Sequence, residues 1–246
     1  MEVLILGGGV VGVTTAYQLL KDGHQVLVID RLPPGIGGAS YGNAGLIATG
    51  HSIAWGPPKA LKIWFNSLFH QNPVFRMKFQ ADPQFIRWGL KFLFQCTEYK
   101  AKRNSLAKHR ISSYSQKKLK EVVEETNIQY ERNANGLIYL YRNSQAMAAS
   151  SSHIRLLQEI GQTLETVEKE RALEIIPELK DSKDQIAGGV FSPSDESGDS
   201  KIFTEQLMSF FRVMLSLIHL LLCLLFPLCF SPLSLLFSSF VSFSSF

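Results

Sequence analysis

The chain holds only three cysteines in 246 residues, Cys96, Cys223 and Cys229, at no regular spacing. An odd number so placed builds neither a disulfide framework nor a metal site, and a reducing compartment is the default expectation. A large excess of either charge is also missing. With 25 Lys and Arg against 21 Asp and Glu, the net charge is +4. Without a finger, a basic helix or a ribonucleoprotein signature, that excludes nucleic acid as the expected partner. No G-x-S-x-G elbow, Walker loop, paired-cysteine zinc pattern or internal repeat is present. Nor does the chain open on a secretory signal, because the apolar run Val3–Leu6 follows Glu2 and stops at glycines.

The sharpest absence is of charge between Val213 and Phe246, where no charged residue occurs. Leu, Ser and Phe supply 28 of the 39 residues from Met208 to Phe246. Phe, Leu, Ser and Pro are the four residues that pyrimidine-only codons encode, so this tail reads as translated polypyrimidine sequence from an intron or a frameshift. A membrane span is the rival reading, since Val213–Phe230 runs 18 residues without a charge, although His219 and Pro227 interrupt it. No lipidation motif accompanies the tail.

Charge is unevenly spread elsewhere. From Lys59 to Lys120 there are 14 Lys or Arg against Asp82 and Glu98, and from Glu121 to Leu207 there are 16 acids against 8 bases. Either the two stretches neutralise each other or missing partners, or the basic one rests on an anionic membrane surface. Trp64, Phe65, Trp88 and Phe92 fall in the basic stretch.

What is present begins at once. Val3-Leu4-Ile5-Leu6 is a short β-rich run ending in Gly7-Gly8-Gly9. Val10 to Leu20 places Val13, Ala16, Tyr17 and Leu20 on one helical stripe, and Lys21-Asp22-Gly23 stops the helix. Gln25–Ile29 is a second buried strand closed by Asp30. Strand, glycine turn, helix and strand predict a βαβ unit with a right-handed crossover. Gly7-x-Gly9-x-x-Gly12 then sits where a dinucleotide fingerprint belongs. Gly7 permits the tight turn, Gly9 admits a pyrophosphate, and Gly12 lets helix and strand pack closely. The helix N-terminus offers unpaired N–H groups and partial positive charge to phosphates. Asp30, 18 residues past Gly12, can accept from ribose hydroxyls, and its charge argues against the 2′-phosphate of NADP. The unit alone does not separate NAD from FAD.

Beyond Asp30 the pattern reads as loop through Pro33-Pro34-Gly35 and Gly37-Gly38-Ala39-Ser40, then a small polar stretch from Ser40 to Gly45 suited to close backbone approach. Helices are expected over Pro83–Cys96, Asn104–Glu125, Ser144–Ile160 and Glu168–Ile176. Strands are expected at Ile128–Tyr130, Gly136–Tyr141 and Gln185–Phe191. The expected fold class is α/β with an inserted α+β substrate domain. The N-terminal part of a Rossmann-like dinucleotide-binding domain takes 1–50 and a mixed substrate-side domain 51–190. A return to the dinucleotide-binding domain begins at 191–207, and 208–246 is the Leu/Phe/Ser-rich tail.

The run from Val3 through Gly7-Gly8-Gly9-Val10-Val11-Gly12 to Tyr17 resembles the N-terminus of the FAD-dependent D-amino acid dehydrogenase small-subunit family, in the wider glycine oxidase and D-amino acid oxidase group. Gly23–Asp30 is similar to that family's second strand, Ser40–Ile47 to its Asn-Ala-Gly flavin loop, and Glu125–Glu131 and Asp195–Asp199 to later landmarks. The resemblance runs from Glu2 to about Leu207. It implies FAD as cofactor, a D-amino acid as substrate and a 2-oxo acid and ammonia as products, with electrons passed to a respiratory acceptor. It carries Gly7, Gly9, Gly12 and Asp30 over to ADP binding, with Gly8, Val10, Val11 and Arg31 beside them. Ser40, Gly42, Asn43, Ala44 and Gly45 carry over to the pyrophosphate and flavin neighbourhood. The family's own chains continue well past this point, so an incomplete C-terminal half is expected. The alternatives are a truncated non-catalytic relative, a glycine or sarcosine oxidase-like enzyme, and a membrane-tethered FAD-binding protein. A cytoplasmic position, or one on the cytoplasmic face of a membrane, is expected.

No residue is assigned a catalytic role. His24 reads as a surface or packing residue, His51 as a loop residue near the flavin stretch, and His109 and His153 as members of polar helices. Arg87 and Lys91, four apart, could meet a substrate carboxylate but read first as a solvated helix face.

Overall fold

The computed structural model describes residues 1–32, 37–54 and 82–211. The Pro33-Pro34-Gly35 turn, Trp64, Phe65, Cys223, Cys229 and the Val213–Phe230 run lie outside the described residues. In chain order the elements are β1 (Glu2–Leu6), α1 (Val10–Lys21), β2 (Gln25–Ile29), α2 (Gly38–Tyr41), β3 (Leu46–Ile47), α3 (Pro83–Gln95), α4 (Glu98–Thr126), β4 (Leu137–Tyr141), α5 (Ser144–Glu159), β5 (Glu165–Glu168), α6 (Lys169–Ile175), β6 (Gly188–Ser192) and β7 (Glu196–Ser197). Residues 200–211 form a last helix, α7. Two short 3-10 segments, Thr49–His51 and Pro177–Gln185, complete the set. The chain separates into two compact units, with the division falling inside α4. The first takes Met1–Ile47, Lys118–Ala134 and the chain from Glu196 onward, and the second takes Ala48–Lys117 and Asn135–Asp195.

In the first unit β1 and β2 pair in parallel, Glu2 opposite Gln25 through Leu6 opposite Ile29. Helix α1 buries Val13, Ala16 and Tyr17. It ends where Gly23 takes φ +79°, a left-handed turn that glycine adopts without strain. Three separated segments build one core. Val13, Ala16, Tyr17 and Val26 meet Ile128 and Tyr130, then Phe203, Leu207, Met208 and Phe211. The Tyr17 and Phe211 rings stack at 5.9 Å, and Tyr130 meets Phe203 edge-on at 5.4 Å. Core packing thus continues through Met208 to Phe211, past the point where the composition changes. The other side of β1 is bare: Leu4 is 56% and Leu6 78% exposed. Among the described residues β1 pairs with β2 alone.

The first unit also buries an ion cluster. Glu196 on β7, almost wholly enclosed, meets Arg132 at 2.6 Å and Lys120 at 2.8 Å. Burial pushes its carboxyl up, but the hydrogen bonds and charges of Arg132 and Lys120 outweigh that and hold it below the usual carboxylate range. A depressed folded-state pKa contributes stability that is complete above the ordinary Glu value of about 4.3 and is lost as the pH falls below it. Because both cations are partly exposed and can rehydrate, Glu196→Gln should cost only about 1–2 kcal/mol at neutral pH. Arg132→Met strands a buried carboxylate beside Lys120 alone and should cost more, about 3 kcal/mol. Urea unfolding from pH 7 to pH 3 measures both. Glu196→Gln should flatten the acid-side loss and Arg132→Met should move it to higher pH.

The second unit carries an antiparallel sheet in the order β4-β6-β5. Leu137 lies opposite Ser192 and Tyr141 opposite Gly188 on one side, and Glu165 faces Phe191 on the other. Leu157 of α5 packs with Leu164 and Val190 over this sheet. Asn143 caps α5 by accepting from the Ala146 N–H at 2.7 Å, and Asp82 caps α3 by accepting from the Gln84 N–H at 3.1 Å with Pro83 in the first turn.

Several expectations shift. Ile128–Tyr130 is no strand: both side chains are buried, but Asn127 and Glu131 on either side adopt φ +55°, which breaks any ladder. The stretch read as loop at Gly38-Ala39-Ser40 holds a helical turn, α2. The helix expected from Asn104 starts at Glu98, and the last strand begins at Gly188 rather than Gln185.

Candidate functional site

The glycine turn, helix start and strand end meet at one edge of the first unit. The Gly7 N–H donates to the Ile29 carbonyl at 2.8 Å, which ties the turn to β2, and Gly7 takes φ +111°. A Cβ on Gly12 would stand 1.8 Å from the Gly7 carbonyl oxygen, so only glycine lets α1 approach the turn this closely. Gly9 occupies the helix N-cap with no side-chain cap. The first intrahelical bond runs from the Val13 N–H to the Gly9 carbonyl at 2.9 Å. The Val10 N–H donates to Ser40 Oγ at 2.9 Å. The Val11 and Gly12 N–H groups have no acceptor among the described residues and sit at the positive end of the helix dipole.

Asp30 closes β2 and turns back on the glycines. Its Oδ2 accepts from the Gly8 N–H at 2.5 Å and its Oδ1 from the Leu32 N–H at 3.0 Å. Those two donors, Gly8 first, hold its carboxyl below the usual range against a smaller opposing effect of burial. The carboxylate therefore stays ionised and fixed, and each oxygen keeps lone-pair capacity for a further donor.

The Ser40–Gly45 loop is held by residues some 155 positions away. Ser200 Oγ donates to the Ser40 carbonyl and receives a bond from Asn43 Nδ2, each at 2.7 Å. The Gly45 N–H donates to Asn43 Oδ1 at 2.7 Å, and the Gly45 carbonyl accepts from the Gly198 N–H at 2.9 Å. Gly45 takes φ +61°, and a Cβ there would meet the Gly198 carbonyl oxygen at 2.3 Å. Of the sequence-derived candidates, Gly7, Gly8, Gly9, Val10, Val11, Gly12, Asp30 and Ser40 come together at this seat. Asn43 and Gly45 shape the loop that delivers Ser40. Arg31, Gly42 and Ala44 are exposed. Ser200 is not among the sequence-derived candidates, although it directly follows the Asp195–Asp199 landmark, which contains Gly198.

An uncapped helix start with two free N–H groups, glycine-only approach and a fixed carboxylate at the neighbouring strand end fit the adenosine diphosphate half of FAD. Among the described residues no group of His, Cys, Asp and Glu is placed to hold a metal ion.

The second unit has its own polar centre. Asp195 is fully buried. Its Oδ1 accepts from the Gly50 N–H at 2.9 Å and Thr49 Oγ1 at 3.1 Å, and its Oδ2 accepts from the Tyr139 hydroxyl at 3.0 Å. Burial and the Asp195 charge push the Tyr139 hydroxyl well above its ordinary pKa. This clamp fixes the turn bearing His51, whose ring stacks on Tyr139 at 5.2 Å. His109 is drawn into the same unit, with Nδ1 3.2 Å from Ser52 Oγ and Nε2 3.4 Å from Ser113 Oγ. Sequence reasoning missed the role of Asp195, because nothing local distinguishes a buried carboxylate from a surface one.

Comparison with known proteins places this geometry. The chain is 37% identical over 210 residues to D-amino acid dehydrogenase 2 of Mesorhizobium japonicum, covering 85% of this chain and 50% of that one. It is 34% identical over 204 residues to D-amino acid dehydrogenase of Dechloromonas aromatica, covering 83% and 49%. It thus spans about half the length of the curated relatives it matches. The fold is similar to that of an L-proline dehydrogenase from P. horikoshii, with a TM-score of 0.53 at 19% identity, covering 85% of this chain and 41% of that one. The family described as FAD dependent oxidoreductase matches residues 2–213, a stretch that takes in the glycine turn, Asp30, the Ser40–Gly45 loop and the buried Phe211. The chain belongs to that FAD-dependent oxidoreductase family, and its cofactor is FAD.

Proposed function

We propose that this chain supplies the nucleotide-binding part of a D-amino acid dehydrogenase. The observation that carries the reading is the intact glycine turn with Asp30, in a chain 34–37% identical to two D-amino acid dehydrogenases. The Val11 and Gly12 N–H groups receive the pyrophosphate, Gly9 gives it room, and Asp30 accepts from the ribose hydroxyls. Ser40, held by Ser200, keeps the loop against the helix start. Bound FAD supplies the two-electron acceptor for the hydride that leaves the substrate α-carbon. As that hydride departs, the amine nitrogen forms a C=N bond and loses a proton; water then adds and ammonia leaves, giving the 2-oxo acid. The electrons pass on to a respiratory acceptor, which puts the protein in the cytoplasm against the cytoplasmic face of a membrane.

A second reading, flavin binding without turnover, is favoured by the bare Leu4 and Leu6 face, and by β2 being the one strand paired with β1 among the described residues. Purified full-length chain separates the two. A flavin spectrum with D-alanine-dependent reduction of an artificial acceptor is expected for the first. Stoichiometric flavin with no such reduction would leave the second standing, and a folded chain that never retains FAD would end both.

A further inference from the structure

Helix α3 exposes apolar side chains in a single row. Ile86, Leu90 and Phe94 recur every fourth residue and are 48%, 53% and 69% exposed. Steps of four residues advance about 40° around a helix, so the three fall within an arc of about 80°, along about 12 Å of its length. Arg87 and Lys91 border that row, and neither is in an ion pair among the described residues. Half-exposed Trp88 stacks on Phe92 at 5.7 Å and lies 5.9 Å from Phe85. No acid occurs within α3; the nearest are Asp82, used as its cap, and Glu98 at the start of α4.

We infer that α3 lies flat on an anionic bilayer, with Ile86, Leu90 and Phe94 entering the boundary between headgroups and acyl chains. Arg87 and Lys91, at the edge of that row, then meet lipid phosphates. An apolar row bordered by cations is the pattern of an interfacial helix. The sequence around the helix is basic as well, with 14 bases against two acids from Lys59 to Lys120, of which Lys102, Lys118 and Lys120 are paired with Glu159, Glu121 and Glu196. Distributed negative charge on a leaflet answers such an excess. The arrangement requires no spanning segment, and among the described residues no helix is long and apolar enough to cross a membrane. The inference rests on the membrane-face reading above for its partner, but its test reads binding rather than turnover.

The apolar run Val213–Phe230 could by itself hold the chain on lipid, so the experiment varies α3 alone. The full chain is floated with phosphatidylglycerol-containing vesicles and with phosphatidylcholine vesicles. Anionic vesicles should capture it selectively and salt should weaken capture. Arg87→Gln with Lys91→Gln should lower partitioning about 25-fold, at about fivefold per cation. Leu90→Glu with Phe94→Glu should lower it at least about 100-fold. Arg87→Lys with Lys91→Arg should retain binding. All these side chains are exposed, and unchanged circular dichroism and flavin content verify the fold. Equal capture by neutral vesicles, equal capture of the α3 variants, or no capture of the wild type would overturn the inference.

Discussion

Gly12→Ala should unseat both the βαβ unit and the flavin. The added methyl would lie 1.8 Å from the Gly7 carbonyl oxygen and 3.0 Å from its carbon, so α1 must retreat from the turn by more than an ångström. The obstacle is backbone, tied through the Gly7 N–H to Ile29, and it has no rotamer by which to yield. Alanine gains up to about 1 kcal/mol in helix propensity, while overpacking of this severity costs about 3 kcal/mol or more, so the clash wins. A fall in Tm of about 4–10 °C is expected for a chain of this size. Retreat also misaims the Val11 and Gly12 N–H groups, and gel-filtered protein should lose its flavin. Gly9→Ala provides the contrast. Its methyl meets only the Ser40 side chain, Oγ at 3.0 Å and Cβ at 4.0 Å, so Tm should change little while flavin is still lost. A Gly12→Ala protein with wild-type Tm and bound flavin would show that the turn is not built as described.

The second large effect is expected at Asp195. Replacing it by alanine strands the Gly50 N–H, the Thr49 hydroxyl and the Tyr139 hydroxyl in a site closed to solvent. The hydroxyls can rotate toward other acceptors, but the Gly50 N–H is fixed by the backbone. Buried donors left unmade cost about 1–3 kcal/mol each, so a total of about 3–5 kcal/mol is expected once some relaxation is allowed. Asp195→Asn keeps the shape and one acceptor, and Tyr139 can reverse its hydroxyl to accept from the new amide, which limits the loss to about 1–2 kcal/mol. Urea denaturation of both variants tests the order. A loss below about 1 kcal/mol for alanine would mean that water or another group replaces the carboxylate.

Much of the site was legible because its physics is local. Gly7, Gly9 and Gly12 act within six residues of each other, and Asp30 follows the strand that the pattern Gln25–Ile29 announces. The bond from Gly8 to Asp30 was not legible, and it gives that carboxylate a structural duty in addition to any contact with ribose. Long-range partners were invisible for the same reason that local ones were clear. Ser200 is 160 positions from Ser40, and nothing in either neighbourhood specifies the other. Apolar alternation at Ile128 and Tyr130 reported burial correctly and strand pairing wrongly, since side chains can enter a core from irregular backbone. Strand β5 was missed because Glu165 and Glu168 mask its edge, leaving Val167 as the only buried member.

The three-piece core of the first unit has a consequence during synthesis. Helix α1 leaves the ribosome early, but Phe203, Leu207, Met208 and Phe211, which cover its Tyr17 face, are made more than 180 residues later. At about 5–20 residues per second, that apolar stripe waits on the order of 10–40 s for its partners. For that interval the nascent chain presents Val13, Ala16 and Tyr17 to whatever binds emerging polypeptides. Synonymous codons that slow translation between the second and third core segments should therefore lower soluble yield without altering the finished protein.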